Sequence, residues 1–298
     1  MRAFVACLMV LVWGGASSPV HAWGFDVHRF ITTRALDGLP AEIKPFFQAQ
    51  RAFITEHSVD PDLWRVLSLR GDLGAEDPNH FLNIDGLGEA RPFRNVPRQM
   101  DAFRAKYGAA AERAGRLPWR TDEVFGMLVA RLRQMGTGTP RYSADNAHYL
   151  SAVLAHYVED AHVPFHAVLN HNGQLTNQHG IHSRFETELV LRHRDTLTLT
   201  AVTVRPFTNA RDFIFDRLVE SEALVETILA ADRKAIQGRE LYDTAYYRAL
   251  LAGTRPIVER RVSEAASGVA SAIVSAWIAA GRPALPAGRQ AAPASIRR

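Results

Sequence analysis

The chain has 298 residues, 47% hydrophobic and 22% charged, and 35 Lys and Arg against 31 Asp and Glu leave a formal charge of +4. That composition excludes a disordered or collagen-like chain and suits one large hydrophobic core. So small a positive charge favours an anionic substrate or surface but does not by itself mark a nucleic-acid binder. A single cysteine, Cys7, excludes a disulfide framework.

Met1 to Ala22 has Arg2, an apolar run from Ala3 to Trp13, then small residues ending Val20-His21-Ala22. This is the order of a secretory signal peptide with cleavage after Ala22, and its apolar run is too short to span a bilayer. The expected product is soluble, secreted or periplasmic, begins at Trp23, lacks cysteine and carries +3 once Arg2 is gone. No later segment reads as a continuous apolar run of spanning length. A free α-amine at Trp23 titrates near 8 and is an available metal ligand, with its own carbonyl closing a chelate ring.

Helical periodicity dominates the chain beyond Trp23. Asp26 to Leu36 carries Phe30, Ile31 and Ala35; Glu42 to Thr55 carries Ile43, Phe46, Phe47 and Phe53; a short helix begins near Ser58. Residues 71–94, rich in Gly, Pro, Asp and Asn, read as an ordered loop. Further helices are expected over Val96 to Tyr107, from a Thr121 cap to Gln134, from a Ser143 cap to about His162, over Asn209 to Ile236, and over Glu240 to Ala280 with a break near Gly253 to Pro256. The alternation in Thr196 to Val204 marks one candidate strand. The residues 281–298 read as a disordered tail. The fold class expected is all-α, a single globular helical domain over 23–280.

The stretch His156-Tyr-Val-Glu-Asp160-Ala-His162-Val-Pro-Phe-His166, continuing to Gly180-Ile-His182-Ser-Arg-Phe-Glu186, carries the chemistry. Residues four apart share a helix face, so His156 with Asp160, and His182 with Glu186, can each offer an imidazole and a carboxylate to one cation. His166 lies between the pairs, beyond the helix-ending Pro164. Nitrogen and oxygen donors of this kind suit zinc.

Trp23-Gly-Phe-Asp-Val-His28, Pro61-Asp62 with Arg65, Asn79-His80-Phe-Leu and the histidine-rich stretch together resemble the superfamily of zinc-dependent phospholipases C and single-strand-specific nucleases. The resemblance covers about Trp23 to His193. It implies three zinc ions: one held by Asp62, His80, His156 and Asp160; a neighbour by Trp23, His28 and the shared Asp160; and a more open third by His166, His182 and Glu186. Asp60 competes with Asp62 as the first carboxylate. The activity implied is metal-assisted hydrolysis of a phosphodiester, with Asp62 taking a proton from water or positioning it, Arg65 on the phosphate, and His162 orienting Asp160 or water. Asn170 would reach a phosphate oxygen or Glu186.

For the substrate, Glu186 and the absence of cysteine match the bacterial phospholipases. The short step from Trp23 to His28 and Arg65 match the nucleases, whose base-reading aspartate is Asn83 here. Phospholipid is the favoured substrate, with transient membrane-surface contact and single-stranded DNA or RNA as the alternative; no protein partner is indicated. A phospholipase would use Phe25, Trp64 and Phe81, with Asp26, around a head group. A nuclease would use Arg65, Arg70, Arg91 and Arg94 along a strand. A non-catalytic zinc protein would need every ion closed.

Overall fold

The computed structural model describes residues 24–68, 75–135 and 141–286. The leader, Trp23, Arg70 and the end of the tail lie outside the described residues. Thirteen α-helical elements occur among the described residues, with short 3-10 turns between them, and no strand is formed. The fold is all-α.

The first elements are α1 (Gly24–Asp37), α2 (Lys44–Gln48), α3 (Arg51–His57) and α4 (Asp60–Ser68). The expected helix from Glu42 to Thr55 is thus two short ones. After two 3-10 turns at Asp77–His80 and Ile84–Leu87 come α5 (Met100–Tyr107), α6 (Ala109–Ala114), α7 (Leu117–Arg133) and α8 (Arg141–Asp160). Thr121 and Ser143 lie inside α7 and α8 rather than capping them. The Thr121 hydroxyl donates to the Leu117 carbonyl at 2.8 Å, because Pro118 starts that helix a turn earlier.

The helix α8 is the axis of the molecule. Every residue from Ser151 to Val168 is buried, through the end of α8 and the 3-10 turn Pro164–Ala167 after it. A helix buried all round belongs to the centre of a bundle, so the charged residues of this stretch are inside the protein. They lie between two apolar clusters. One gathers Phe46, Phe47, Phe103, Leu128 and Phe215; the other gathers Ile31, Phe165, Phe185, Ile228 and Tyr246.

The chain continues through α9 (Ile181–Ser183), a five-residue π-helical turn at Arg184–Glu188 and α10 (Leu189–His193). It ends with α11 (Ala210–Glu222), α12 (Val225–Ile236) and α13 (Thr244–Ala279). Two expectations fail here. The long helix expected from Asn209 splits at Ala223 and Leu224, and α13 runs unbroken through Gly253 and Pro256. Gly253 is a packing point, not a break: a Cβ there would lie 3.0 Å from the Ala231 Cβ, so its absence lets α12 and α13 approach. By length and composition α13 is apolar enough to cross a membrane, contrary to the expectation from sequence. Its apolar window is 72% buried within the fold, as a core helix requires.

The candidate strand is also corrected. The segment from Leu197 to Phe207 is extended, but its partner is the helix α13. The amides of Thr198, Thr200, Thr203, Arg205 and Phe207 donate to side-chain oxygens of Glu259, Ser263, Ser267, Ser271 and Ser275, at 2.8 to 3.2 Å. These acceptors are spaced by four, about 6 Å along a helix, close to two residues of extended chain. The hydroxyls of Ser263, Ser267 and Ser271 each donate back to the helix carbonyl four residues earlier. Replacing Ser271 by Ala removes one rung and is expected to lower stability by about 0.5–1.5 kcal/mol. An unchanged urea midpoint would show that the rung contributes nothing.

Candidate metal centre

Seven elements deliver the ligand candidates to the buried middle of the bundle. His28 comes from the first turns of α1, Asp62 from α4, and His80 from the 3-10 turn ending at that residue. His156 and Asp160 share the last turn of α8, and His166 sits in the turn after Pro164. His182 and Glu186 flank the start of the π-helical turn, a feature common at functional sites. All of these side chains are buried.

They assemble into three groups: His28, Asp62 and His156; His80, His156 and Asp160; and His166, His182 and Glu186. In each group one ligand atom per residue lies within 4.8 Å of the others. His80 Nδ1 is 2.9 Å and His156 Nε2 3.3 Å from Asp160 Oδ2. Asp62 Oδ1 is 3.8 Å from His80 Nδ1 and 3.9 Å from His156 Nε2. Across the same carboxylate, His28 Nε2 and His166 Nδ1 are 3.7 and 3.8 Å from Asp160 Oδ1. His182 Nε2 is 2.8 Å from Glu186 Oε2. Buried His, Asp and Glu groups that could hold a metal ion are therefore present.

The polar atoms fit a cation. His28 Nε2, Asp62 Oδ2 and Asp160 Oδ1 are buried without a hydrogen-bond partner, and each such atom costs roughly 1–3 kcal/mol unless something binds it. Burial lowers the pKa of His28 to about 3 and of His166 to about 4, and takes His182 well below the usual imidazole range. These rings are neutral near pH 7 and keep the lone pair a metal needs. Burial alone would raise the Asp160 carboxyl, but His156 and His166 beside it, with bonds from His156 and His80, hold it well below the usual carboxylate range.

Backbone and carboxylate groups fix the outer ring nitrogens. His156 Nδ1 donates to the Ser58 carbonyl at 2.8 Å, and His166 Nδ1 donates to the His80 carbonyl. His28 Nδ1 lies 2.5 Å from Glu159 Oε2, and the Thr32 hydroxyl donates to Glu159 Oε1 at 2.7 Å. Such outer partners set which nitrogen faces the metal. Sequence reasoning misses Glu159, although an acidic pair at 159–160 inside a buried apolar stretch is a signal that neither residue is on the surface.

Asp62, not Asp60, joins the cluster; Asp60 instead pairs with His57 and accepts from Tyr149. Arg65 bonds Asp77 Oδ1 through Nε and Nη2 at 3.0 and 2.7 Å, with Nη1 at 3.3 Å from Asp62 Oδ1. Its guanidinium lines a cavity of about 140 Å³ walled also by His80, His166, His182, Phe81 and Asn83. His162 is a correction. Its Nδ1 donates to the Val158 carbonyl at 2.7 Å, and it lines a separate cavity under the 197–207 segment, beside Gly268. Its ring is turned towards α13 because Gly268 leaves room there, so it orients neither Asp160 nor a water at the cluster. Asn170 is likewise occupied within its own loop, by Thr176 and the Leu175 amide.

The expected head-group cage is not assembled. Phe81 lines the cavity, whereas Trp64 packs on the larger apolar cluster and Phe25 lies under Arg29. Nor, among the described residues, is the expected basic path: Arg91 is paired with Glu222, and Arg94 lines a different cavity. Compared with known proteins, the chain matches no protein-family profile and no curated relative.

Proposed function

We propose that this chain is an exported zinc-dependent phosphodiester hydrolase of the phospholipase C type, holding up to three ions on Trp23, His28, Asp62, His80, His156, Asp160, His166, His182 and Glu186. The observation that carries the reading is the adjacency of the His166, His182 and Glu186 group to a cavity whose wall includes the Arg65 guanidinium. Three protein ligands beside an open space is the pattern of a catalytic rather than a structural site. A closed, non-catalytic zinc protein has no use for that space.

Bound zinc would supply charge neutralisation at the phosphoryl oxygens and a water acidic enough to attack at neutral pH. The protein's own part is positioning. Arg65, braced between Asp62 and Asp77, presents fixed donors to a phosphate oxygen. Asp62, with Oδ2 unbonded, accepts a proton from the attacking water. The buried walls on either side of α8 keep bulk water from the other faces of the cluster.

Lipid is favoured by apolar side chains on the elements that frame the cavity. Leu63 and Leu67 are exposed on α4, which carries Asp62 and Arg65, while Leu169 and Leu175, the latter 69% exposed, lie on the loop after His166. Arg65, Phe81 and Asn83 on one wall keep the nuclease reading alive, since phosphate and base could occupy the same space. The test is an assay of zinc-loaded protein beginning at Trp23 on phosphatidylcholine vesicles and on single-stranded DNA and RNA. Release of the phosphorylated head group with nucleic acid intact is expected; release of nucleotides with lipid intact would replace the lipase by the nuclease.

A further inference from the structure

One side chain on the cavity wall stands apart from the metal groups. His171, on the loop 168–180, lines the cavity and belongs to none of the three. The loop is braced internally and from outside. The Leu169 amide donates to Asp85 Oδ1 at 2.8 Å, the Leu175 amide to Asn170 Oδ1 at 2.8 Å, and Gln174 Nε2 to the Leu169 carbonyl at 2.6 Å. His171 Nδ1 is 3.2 Å from that same carbonyl, with Gln174 Nε2 3.3 Å away. With both ring nitrogens protonated, as a proton donor at Nε2 requires, Nδ1 donates to the Leu169 carbonyl, which also accepts from Gln174 Nε2, and Nε2 is left without a hydrogen-bond partner among the described residues.

Phosphodiester hydrolysis needs two things of the cavity, a nucleophile and a proton for the departing oxygen. The cluster accounts for the first. For the second, His166 and His182 are committed to the metal group, Arg65 cannot give up a proton near neutral pH, and Asp77 accepts two bonds from Arg65. The remaining lining groups are an amide, two phenyl rings and His80, itself in a metal group. His171 is the one histidine of this wall outside the metal groups.

We propose that His171 is the general acid of this site, donating the Nε2 proton to the leaving alkoxide; the inference rests on the phosphodiesterase reading. As the water oxygen bonds to phosphorus, the bond from phosphorus to the ester oxygen breaks. The electron pair of that bond stays on the oxygen, which takes the proton from His171 and departs as a neutral alcohol. The proton lost by the water passes through Asp62 to solvent, and solvent returns one to His171.

The test compares wild type with His171→Gln as full, zinc-loaded protein on two diesters. One is bis(p-nitrophenyl) phosphate, whose phenolate leaves without help; the other is the alkyl diester that wild type cleaves, phosphatidylcholine or an oligonucleotide. General acid catalysis contributes about 10²–10⁴-fold. The loss on the alkyl diester is therefore expected to exceed the loss on the aryl diester by about 10²-fold, with bound zinc and the melting midpoint equal to wild type. Equal losses on both substrates, or no loss on either, would overturn the general acid and leave the diesterase standing. Wild-type protein that holds zinc yet cleaves neither substrate would overturn the diesterase reading and the general acid with it.

Discussion

Replacing Asp160 by Ala is expected to strip the metal from the cluster and abolish hydrolysis. This carboxylate stands within 3.8 Å of His28, His80, His156 and His166 and is itself fully buried, so no surface side chain can substitute for it. Removing one partner of a buried ionic group leaves the rest uncompensated and costs about 3–5 kcal/mol. In a domain of this size each kcal/mol moves the melting midpoint by roughly 2–4 °C. Elemental analysis and a thermal melt check both parts, and a variant that keeps a full complement of metal would remove Asp160 from the site.

Chelation should produce the other large effect, a metal-free protein that is still helical but much less stable. Helix is retained because the two apolar clusters lie on either side of the polar middle and do not depend on it. A ligand at a thousand times its dissociation constant stabilises the state it binds by about 4 kcal/mol per site, or roughly 8–16 °C in a domain of this size. The metal-free protein should also be acid-sensitive. His28 titrates at about 3 and His166 at about 4 when folded, against 6.5 when unfolded, so the unfolded chain binds more protons between those values. Stability is then full above pH 6.5 and falls as the pH drops through that window, by up to about 1.4 kcal/mol per unit for each ring. Circular dichroism melts with and without zinc across pH 4 to 8 measure both effects. A chelated protein that melts with the zinc-loaded one would mean that the cluster carries no metal in solution.

Two pairs of the candidate cluster were legible because residues four apart stay together on folding: His156 with Asp160, and His182 with Glu186, meet as their separation requires. Residues whose role depends on what another segment brings to them were not legible. Glu159 is one, since its value lies in His28 from a helix 131 residues away. His162 is the reverse case, a histidine in the right company along the chain but turned aside by the room Gly268 leaves. The breaks expected at Gly253 and Pro256 failed for a related reason. Local propensity predicts an interruption there, and packing of α12 against α13 overrides it.

The serine rungs between α13 and the 197–207 segment have a spectroscopic consequence. Alternate amides of that segment are tied to the helix while most of those between them are not, so exchange with deuterated solvent should run slow and fast in near-alternation along it. Extended dihedral angles and a two-residue rhythm of protection are the usual marks of a sheet margin. In this chain the same signature would come from a helix acting as the neighbouring strand, with side-chain oxygens in place of main-chain carbonyls.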